Sequence, residues 1–288
     1  MDKEFLFKFL HQELQKIKSE HETQWILDWV FIQKATDPES LIKQVIARRQ
    51  KNEPLAYIFG SWAFRDLELA VGPGVLIPRP ETEELVDLVL AFTRELVQKT
   101  PHNEKPICWA DLGSGSGAIG IAIANELKIS EQSNEAWLVE ASADALAYLQ
   151  KNHLSYFLKA DLGPQVYAGT WTQWAASIEP SSIDFLVSNP PYISANDWQS
   201  LDSGVRDFEP ASALVPRIQN PDPLALGCYL EILEIAIKVL RPGGALFFEM
   251  GTQAEETLKL IQKNPALNNS QIHFDLSGKK RFISLRKA

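Results

Sequence analysis

Residues 188–193 read Ser-Asn-Pro-Pro-Tyr-Ile and close an apolar run, Ile183-Asp184-Phe185-Leu186-Val187, that reads as a strand. The two prolines lack an N–H and fix φ, and each pushes the residue before it toward extended geometry. Asn189-Pro190-Pro191-Tyr192 is therefore a stiff extended stub whose carbonyls are not used up in a helix. A planar NH₂ group has two hydrogens to donate. The Asn189 side chain and the Pro190 carbonyl are placed to accept one each, which fixes the nitrogen and leaves its lone-pair face open to an electrophile. Tyr192 offers an aromatic face to stack against the planar group. A Pro-rich turn after a strand is the competing reading, and a second motif upstream weighs against it.

That motif is Asp111-Leu112-Gly113-Ser114-Gly115-Ser116-Gly117-Ala118-Ile119-Gly120, between a strand candidate, Ile107-Cys108-Trp109-Ala110, and a helix candidate, Ala118–Leu127. In a strand, glycine loop, helix arrangement the backbone approaches a nucleotide cofactor closely. Asp111, Gly113, Ser114, Gly115, Ser116 and Gly117 are the expected cofactor-binding residues of this loop. Residues 115–120 also fit G-x-G-x-x-G, so the loop alone does not separate a dinucleotide from another nucleoside cofactor. Glu140 ends the strand candidate Ala136-Trp137-Leu138-Val139, about twenty residues past the glycines, as expected for a ribose-binding acid. Asp161 follows a further strand candidate, Ser155-Tyr156-Phe157-Leu158. It is read either as an acceptor for an adenine amino group or as the start of a turn before Gly163-Pro164.

Together these residues resemble the class I S-adenosylmethionine methyltransferases that modify an amino nitrogen. The resemblance extends to Ile77-Pro78-Arg79-Pro80-Glu81-Thr82-Glu83, Asp207-Phe208-Glu209-Pro210, Arg241-Pro242-Gly243-Gly244 and Phe248-Glu249-Met250-Gly251. The set is similar to the peptide chain release factor glutamine N5-methyltransferases over nearly the whole chain. It implies an α/β fold, a Rossmann-like methyltransferase sheet with a small N-terminal helical domain and a β-hairpin linker. It also implies S-adenosylmethionine as cofactor, and class I peptide chain release factors as protein substrate, methylated on the glutamine of the Gly-Gly-Gln motif. Asn189, Pro190 and Tyr192 become the expected catalytic residues, Asn189, Pro190, Pro191 and Tyr192 the substrate contacts, and Asn189 a cofactor contact as well. Three places depart from the family pattern. Glu140 stands where an aspartate is common, and Leu162, expected at the adenine, stands where an aromatic is frequent. The stretch 222–229 is less glycine-rich.

The chain divides into three expected parts: a helical substrate-positioning domain at 1–60, a hairpin linker at 61–79 and the methyltransferase domain at 80–288. In the first, Leu6, Phe9, Leu10, Leu14 and Ile17 recur at helical spacing, and Trp25, Trp29 and Ile32 do so again. Asp37-Pro38 reads as a helix cap followed by proline at the first helical position. Leu67, Leu69 and Val71 share one face of the hairpin, with Arg65-Asp66 near its turn. From Pro80 strands and helices alternate, and residues 194–226 form a long excursion expected at the substrate mouth.

The formal charge of −9 is a poor footprint for a protein that grips phosphates, so no direct nucleic-acid partner is expected. Lys43, Arg48, Arg49 and Lys51 make one small basic group, read as a solvated helix face. Five scattered histidines and two cysteines suggest neither a metal site nor a disulfide framework. No stretch is apolar for long enough to span a membrane, and Met1-Asp2-Lys3-Glu4 lacks the features of a secretory signal, so a cytoplasmic protein is expected. Two rival functions remain open: a DNA adenine N6-methyltransferase, whose target amino group suits the same tetrapeptide, and a nucleotide-binding module or NAD-dependent dehydrogenase built on the glycine loop alone.

Overall fold

The computed structural model describes residues 3–99, 106–129, 134–157, 163–216 and 225–288. Helix α1 (Lys3–Gln15) buries Leu6, Leu10 and Leu14, the stripe its spacing predicts. Helix α2 (Thr23–Ile32) buries Ile26, Leu27 and Val30 instead of the expected face, leaving Trp25 55% and Ile32 73% exposed. This helix is apolar nearly all round, so two stripes satisfy the same period and packing against neighbours selects one. In helix α3 (Pro38–Arg49) the Asp37 side chain accepts from Ser40 N and Pro38 occupies the first turn. Helix α4 (Leu55–Phe59) completes a separate apolar cluster that includes Leu10, Ile26, Val30, Val45 and Leu55. The small basic group is largely paired within the fold. Arg49 binds Glu22 through Nε and Nη2 at 2.7 and 2.8 Å, Arg48 binds Glu53, and Lys43 binds Glu39.

Strands β1 (Ser61–Phe64) and β2 (Leu67–Ala70) form the hairpin, with Arg65 and Asp66 between them. Phe64, Leu67 and Leu69 belong to the core of the larger sheet layer.

That layer is a seven-stranded sheet. Its strands are β3 (Ile107–Leu112), β4 (Asn134–Glu140), β5 (Gln165–Ala168), β6 (Ile183–Ser188), β7 (Leu240–Glu249), β8 (Leu267–Phe274) and β9 (Lys280–Lys287). They lie in the order β5-β4-β3-β6-β7-β9-β8. The first five are parallel, and β9 and β8 add an antiparallel edge. The central strands β3 and β6 are buried at every residue, as a parallel sheet covered on both faces requires. Successive residues alternate between the two layers. Trp109, Phe185 and Phe247 enter the core shared with helices α5 (Glu83–Lys99) and α6 (Ala118–Ile129), and Ala110, Leu186 and Phe248 the core shared with helix α12 (Gly227–Val239).

The remaining helices are α7 (Ala143–Tyr156), α8 (Trp171–Ser177), α9 (Ala195–Trp198), α10 (Ser203–Arg206), α11 (Ala211–Leu214), α12 (Gly227–Val239) and α13 (Ala254–Gln262). The long excursion after β6 is thus partly helical, through the single turns α9 to α11.

One expected strand, over 155–158, is not found among its described residues, 155–157. Ser155 and Tyr156 end α7, buried Phe157 caps it, and the next strand begins at Gln165. A four-residue apolar run does not distinguish a helix end from a strand. Here it continues the buried stripe of Ala145, Leu149, Asn152 and His153. Asp161 and Leu162 lie outside the described residues.

Candidate active site

Strand order reverses at β3: β4 and β5 extend the sheet to one side, β6 and β7 to the other. In an open parallel sheet this switch leaves a crevice at the carboxyl ends of the strands. The crevice is a cavity of about 600 Å³, within the usual size for a small-molecule site. Its wall includes Gly113, Ser114, Gly115 and Ser116 after β3, Glu140 at the end of β4, Gly169, Thr170 and Trp171 after β5, and Asn189 and Pro191 after β6. Arg79 and Thr82 come from the segment before α5, and Pro210, Ser212 and Ala213 from the excursion.

The glycine loop is pinned by its backbone. Gly113 N and Ser114 N both donate to Val139 O, at 2.9 and 3.0 Å. Gly115 has φ +57, and a Cβ built on it would meet no protein atom within 4 Å. The loop thus presents bare backbone at the cavity wall in a conformation that disfavours L side chains. At Gly120 the reason for glycine is contact, since a Cβ would lie 2.1 Å from Leu138 and 2.9 Å from Asp111 Oδ2. Its absence lets α6 pack directly on the sheet.

Glu140 is 9% exposed and uses both carboxylate oxygens: Oε2 accepts from Gly115 N at 2.8 Å and Oε1 from Ser142 N at 2.7 Å. An ionised carboxylate has about four lone-pair sites, so acceptor capacity remains toward the cavity. Asp111 is placed differently. It is fully buried beneath the loop and does not line the cavity. Its Oδ2 accepts from Gly120 N at 3.0 Å, while Oδ1 has no partner among the described residues. Burial pushes its carboxyl up to about 7, against the lowering effect of the Gly120 and Ser114 hydrogen bonds. Its position braces the turn from below. Gly117 likewise sits behind the wall, where a Cβ would strike Ile121 and Leu149.

Asn189 and Pro191 line the cavity; Pro190 and Tyr192 do not. Asn189 Nδ2 lies 3.5 Å from Thr82 Oγ1, and no donor among the described residues reaches its Oδ1. Pro190 is buried, and no described donor reaches its carbonyl. The Tyr192 hydroxyl turns inward and donates to Glu249 Oε1 at 3.1 Å, rather than presenting the ring to the cavity. Burial and the Glu249 charge raise the Tyr192 phenol well above its ordinary range, so it stays protonated.

Several cavity residues escape the sequence reading. Because β4 pairs with β5 through Glu140 and Ala168, the strand end beside Glu140 is Gly169-Thr170-Trp171, and Gly169 N donates to Glu140 O at 2.9 Å. Trp171 is the aromatic at that position. The available signal was the capping box Thr170-x-x-Gln173, which opens α8 and fixes the end of the preceding strand. Arg79 donates to buried Glu209 Oε1 at 2.7 Å while Glu209 Oε2 accepts from Ile77 N at 3.1 Å. The Pro-Arg-Pro-Glu-Thr-Glu and Asp-Phe-Glu-Pro segments are thereby joined across the cavity mouth.

Comparison with known proteins agrees with this geometry. The "Methyltransferase small domain" family model matches residues 91–205. The release factor glutamine methyltransferase of Lactococcus lactis is 34% identical over 297 aligned residues, covering 98% of this chain and 93% of that one. That of Bacteroides thetaiotaomicron is 34% identical, covering 85% and 80%, and that of Pasteurella multocida 37% identical, covering 83% and 78%. On these grounds the chain belongs to the release factor glutamine methyltransferase family.

Proposed function

We propose that the protein transfers a methyl group from S-adenosylmethionine to the side-chain amide nitrogen of the glutamine in the Gly-Gly-Gln motif of class I peptide chain release factors. The observation that carries the reading is the meeting of Asn189, with its Oδ1 unclaimed, and the bare glycine loop in one cavity. The cavity suits the cofactor. Gly115 leaves open space where a Cβ would stand, and Glu140 sits at the loop with spare acceptor capacity for ribose hydroxyls. Trp171 supplies an apolar wall on the same side as Glu140. When bound, S-adenosylmethionine supplies an electrophilic methyl group.

The protein's own residues prepare the nitrogen. An amide nitrogen is a weak nucleophile because its lone pair is delocalised into the carbonyl. Asn189 Oδ1 and the Pro190 carbonyl accept its two hydrogens, raise electron density on nitrogen and fix its direction. Such orientation supplies several kcal/mol, with ~7–11 kcal/mol the upper range. The rigid Pro190-Pro191 backbone holds both acceptors without reorganisation.

No residue of 1–60 is among those lining the cavity, which suits a role for the N-terminal helices in positioning a protein substrate. Pairing of Arg48 and Arg49 within the fold, with a formal charge of −9, disfavours a nucleic-acid substrate. Among the described residues no helix is long and apolar enough to cross a membrane; a substrate of the translation machinery is what supports a cytoplasmic reading. Incubation with a release factor and labelled cofactor tests the reading; label on DNA adenine and none on the factor would refute it.

A further inference from the structure

Three separated sequence segments converge on one buried carboxylate. Glu249, at the end of β7, is 1% exposed. Its Oε2 accepts from Thr82 Oγ1 at 2.6 Å, and its Oε1 accepts from the Tyr192 hydroxyl at 3.1 Å. Thr82, itself 3% exposed, stands between Glu249 and Asn189: its Oγ1 lies 3.5 Å from Asn189 Nδ2. The anchor is rigid. Gln253 Nε2 donates to the Tyr192 carbonyl, and Gly251 packs so closely on the Tyr192 ring that a Cβ would lie 3.0 Å from it. Arg281, held by Asp275 at 3.2 Å, contributes positive charge toward Glu249 and Tyr192.

The direction of these bonds follows from proton counting. A hydroxyl has one proton, and an ionised carboxylate only accepts. Thr82 therefore gives its proton to Glu249 and keeps only lone pairs for Asn189. Those lone pairs attract the Asn189 NH₂ and repel its carbonyl oxygen. We propose that Thr82 and Glu249 are positioning residues that fix which way the Asn189 amide is turned, holding its NH₂ against the protein and its Oδ1 toward the substrate amide. The proposal rests on the methyl-transfer reading of Asn189.

The charge of Glu249 is part of the device. Burial raises its pKa above the ordinary glutamate value, partly offset by Thr82, Arg281 and Tyr192, while Glu81 in the neighbouring turn raises it further. The Tyr229 hydroxyl from α12 reaches the Glu249 carbonyl rather than the carboxylate. Once protonated, Glu249 donates to one neighbour. With that proton on Oε2 it is given to Thr82, whose own proton then turns toward Asn189, and the amide preference reverses. Activity should therefore fall on the acid side, at a pH above that of an ordinary glutamate.

The test compares Thr82→Val, Thr82→Ser, Glu249→Gln and Asn189→Ala by single-turnover methylation of a release factor, with S-adenosylhomocysteine binding by calorimetry. Thr82→Val should lower the rate roughly 10–100-fold, by analogy with the cost of removing groups that orient metal ligands, with cofactor affinity changed by less than about twofold. Thr82→Ser should recover most of the rate, and Glu249→Gln should lose the acid limb of the pH profile. A wild-type rate in Thr82→Val, or an equal loss in Thr82→Ser, overturns the proposal. Should Thr82→Val fail to fold, an unchanged acid limb in Glu249→Gln overturns it instead. If Asn189→Ala itself keeps the wild-type rate, the reading of Asn189 fails and this proposal with it. A slow Asn189→Ala beside a fast Thr82→Val removes the proposal alone.

Discussion

Asp111 makes the glycine loop sensitive to pH in a direction opposite to that of most carboxylates. Its carboxyl is wholly buried, one oxygen has no partner among the described residues, and burial lifts its pKa from 3.8 to about 7. Between those values the folded protein holds one more proton than the unfolded chain. Stability contributed by this group is therefore present below about pH 4 and is lost as pH rises through 7. The interval between 3.8 and about 7 corresponds to at most about 4 kcal/mol, at ~1.4 kcal/mol for each pH unit. Asp111→Asn removes the titration yet keeps an acceptor for Gly120 N. It should match wild type below about pH 4, gain on it by ~1.4 kcal/mol per pH unit up to about pH 7 and exceed it at pH 8 by up to about 4 kcal/mol, less any relaxation of the site. Urea denaturation of both proteins at intervals from pH 5 to 8 measures this difference. Parallel stability curves would mean that the carboxyl is ionised in the fold, and would refute the reasoning.

Further outcomes follow from the site. Gly115→Val forces a branched side chain into a left-handed backbone at the cavity wall, so S-adenosylhomocysteine binding should be abolished in calorimetry; Glu140→Ala should weaken it by about 1–3 kcal/mol, while also freeing Gly115 N and Ser142 N. Glu209→Ala leaves Arg79 and Ile77 N without their partner and should reduce stability by roughly 1–3 kcal/mol in chemical denaturation. Asn189→Ala should lower the methylation rate about 10²–10³-fold with a smaller change in cofactor affinity. Asn189→Asp should retain more activity than alanine if the side chain acts only as an acceptor, and equal loss in both would show that the NH₂ matters too.

Much of this arrangement was legible in the chain because it is local. The glycine loop, Glu140 and Asn189 each close a strand whose apolar run is bounded by turn residues, and a parallel sheet then gathers strand ends by topology. Asp37 and the Arg65-Asp66 turn are likewise short-range signals. What was hidden depends on distance. No spacing indicates that Glu249 meets Thr82 across 167 positions, or that Glu209 meets Arg79 across 130. Nor does spacing show that the Tyr192 hydroxyl turns toward Glu249. The buried face of α2 is not legible from spacing because both of its stripes are apolar. The strand beside Glu140 begins later than the apolar run 155–158 suggests, because Ser155 and Tyr156 close helix α7 and the strand starts at Gln165.

The central claim concerns the atom that receives the methyl group. Full-length protein incubated with a class I release factor and isotopically labelled S-adenosylmethionine, followed by fragmentation mass spectrometry of the peptide carrying Gly-Gly-Gln, locates it directly. The account predicts one labelled methyl on the glutamine side-chain nitrogen with wild-type protein, and its near absence with Asn189→Ala. An unlabelled glutamine beside labelled adenine in added DNA would contradict it.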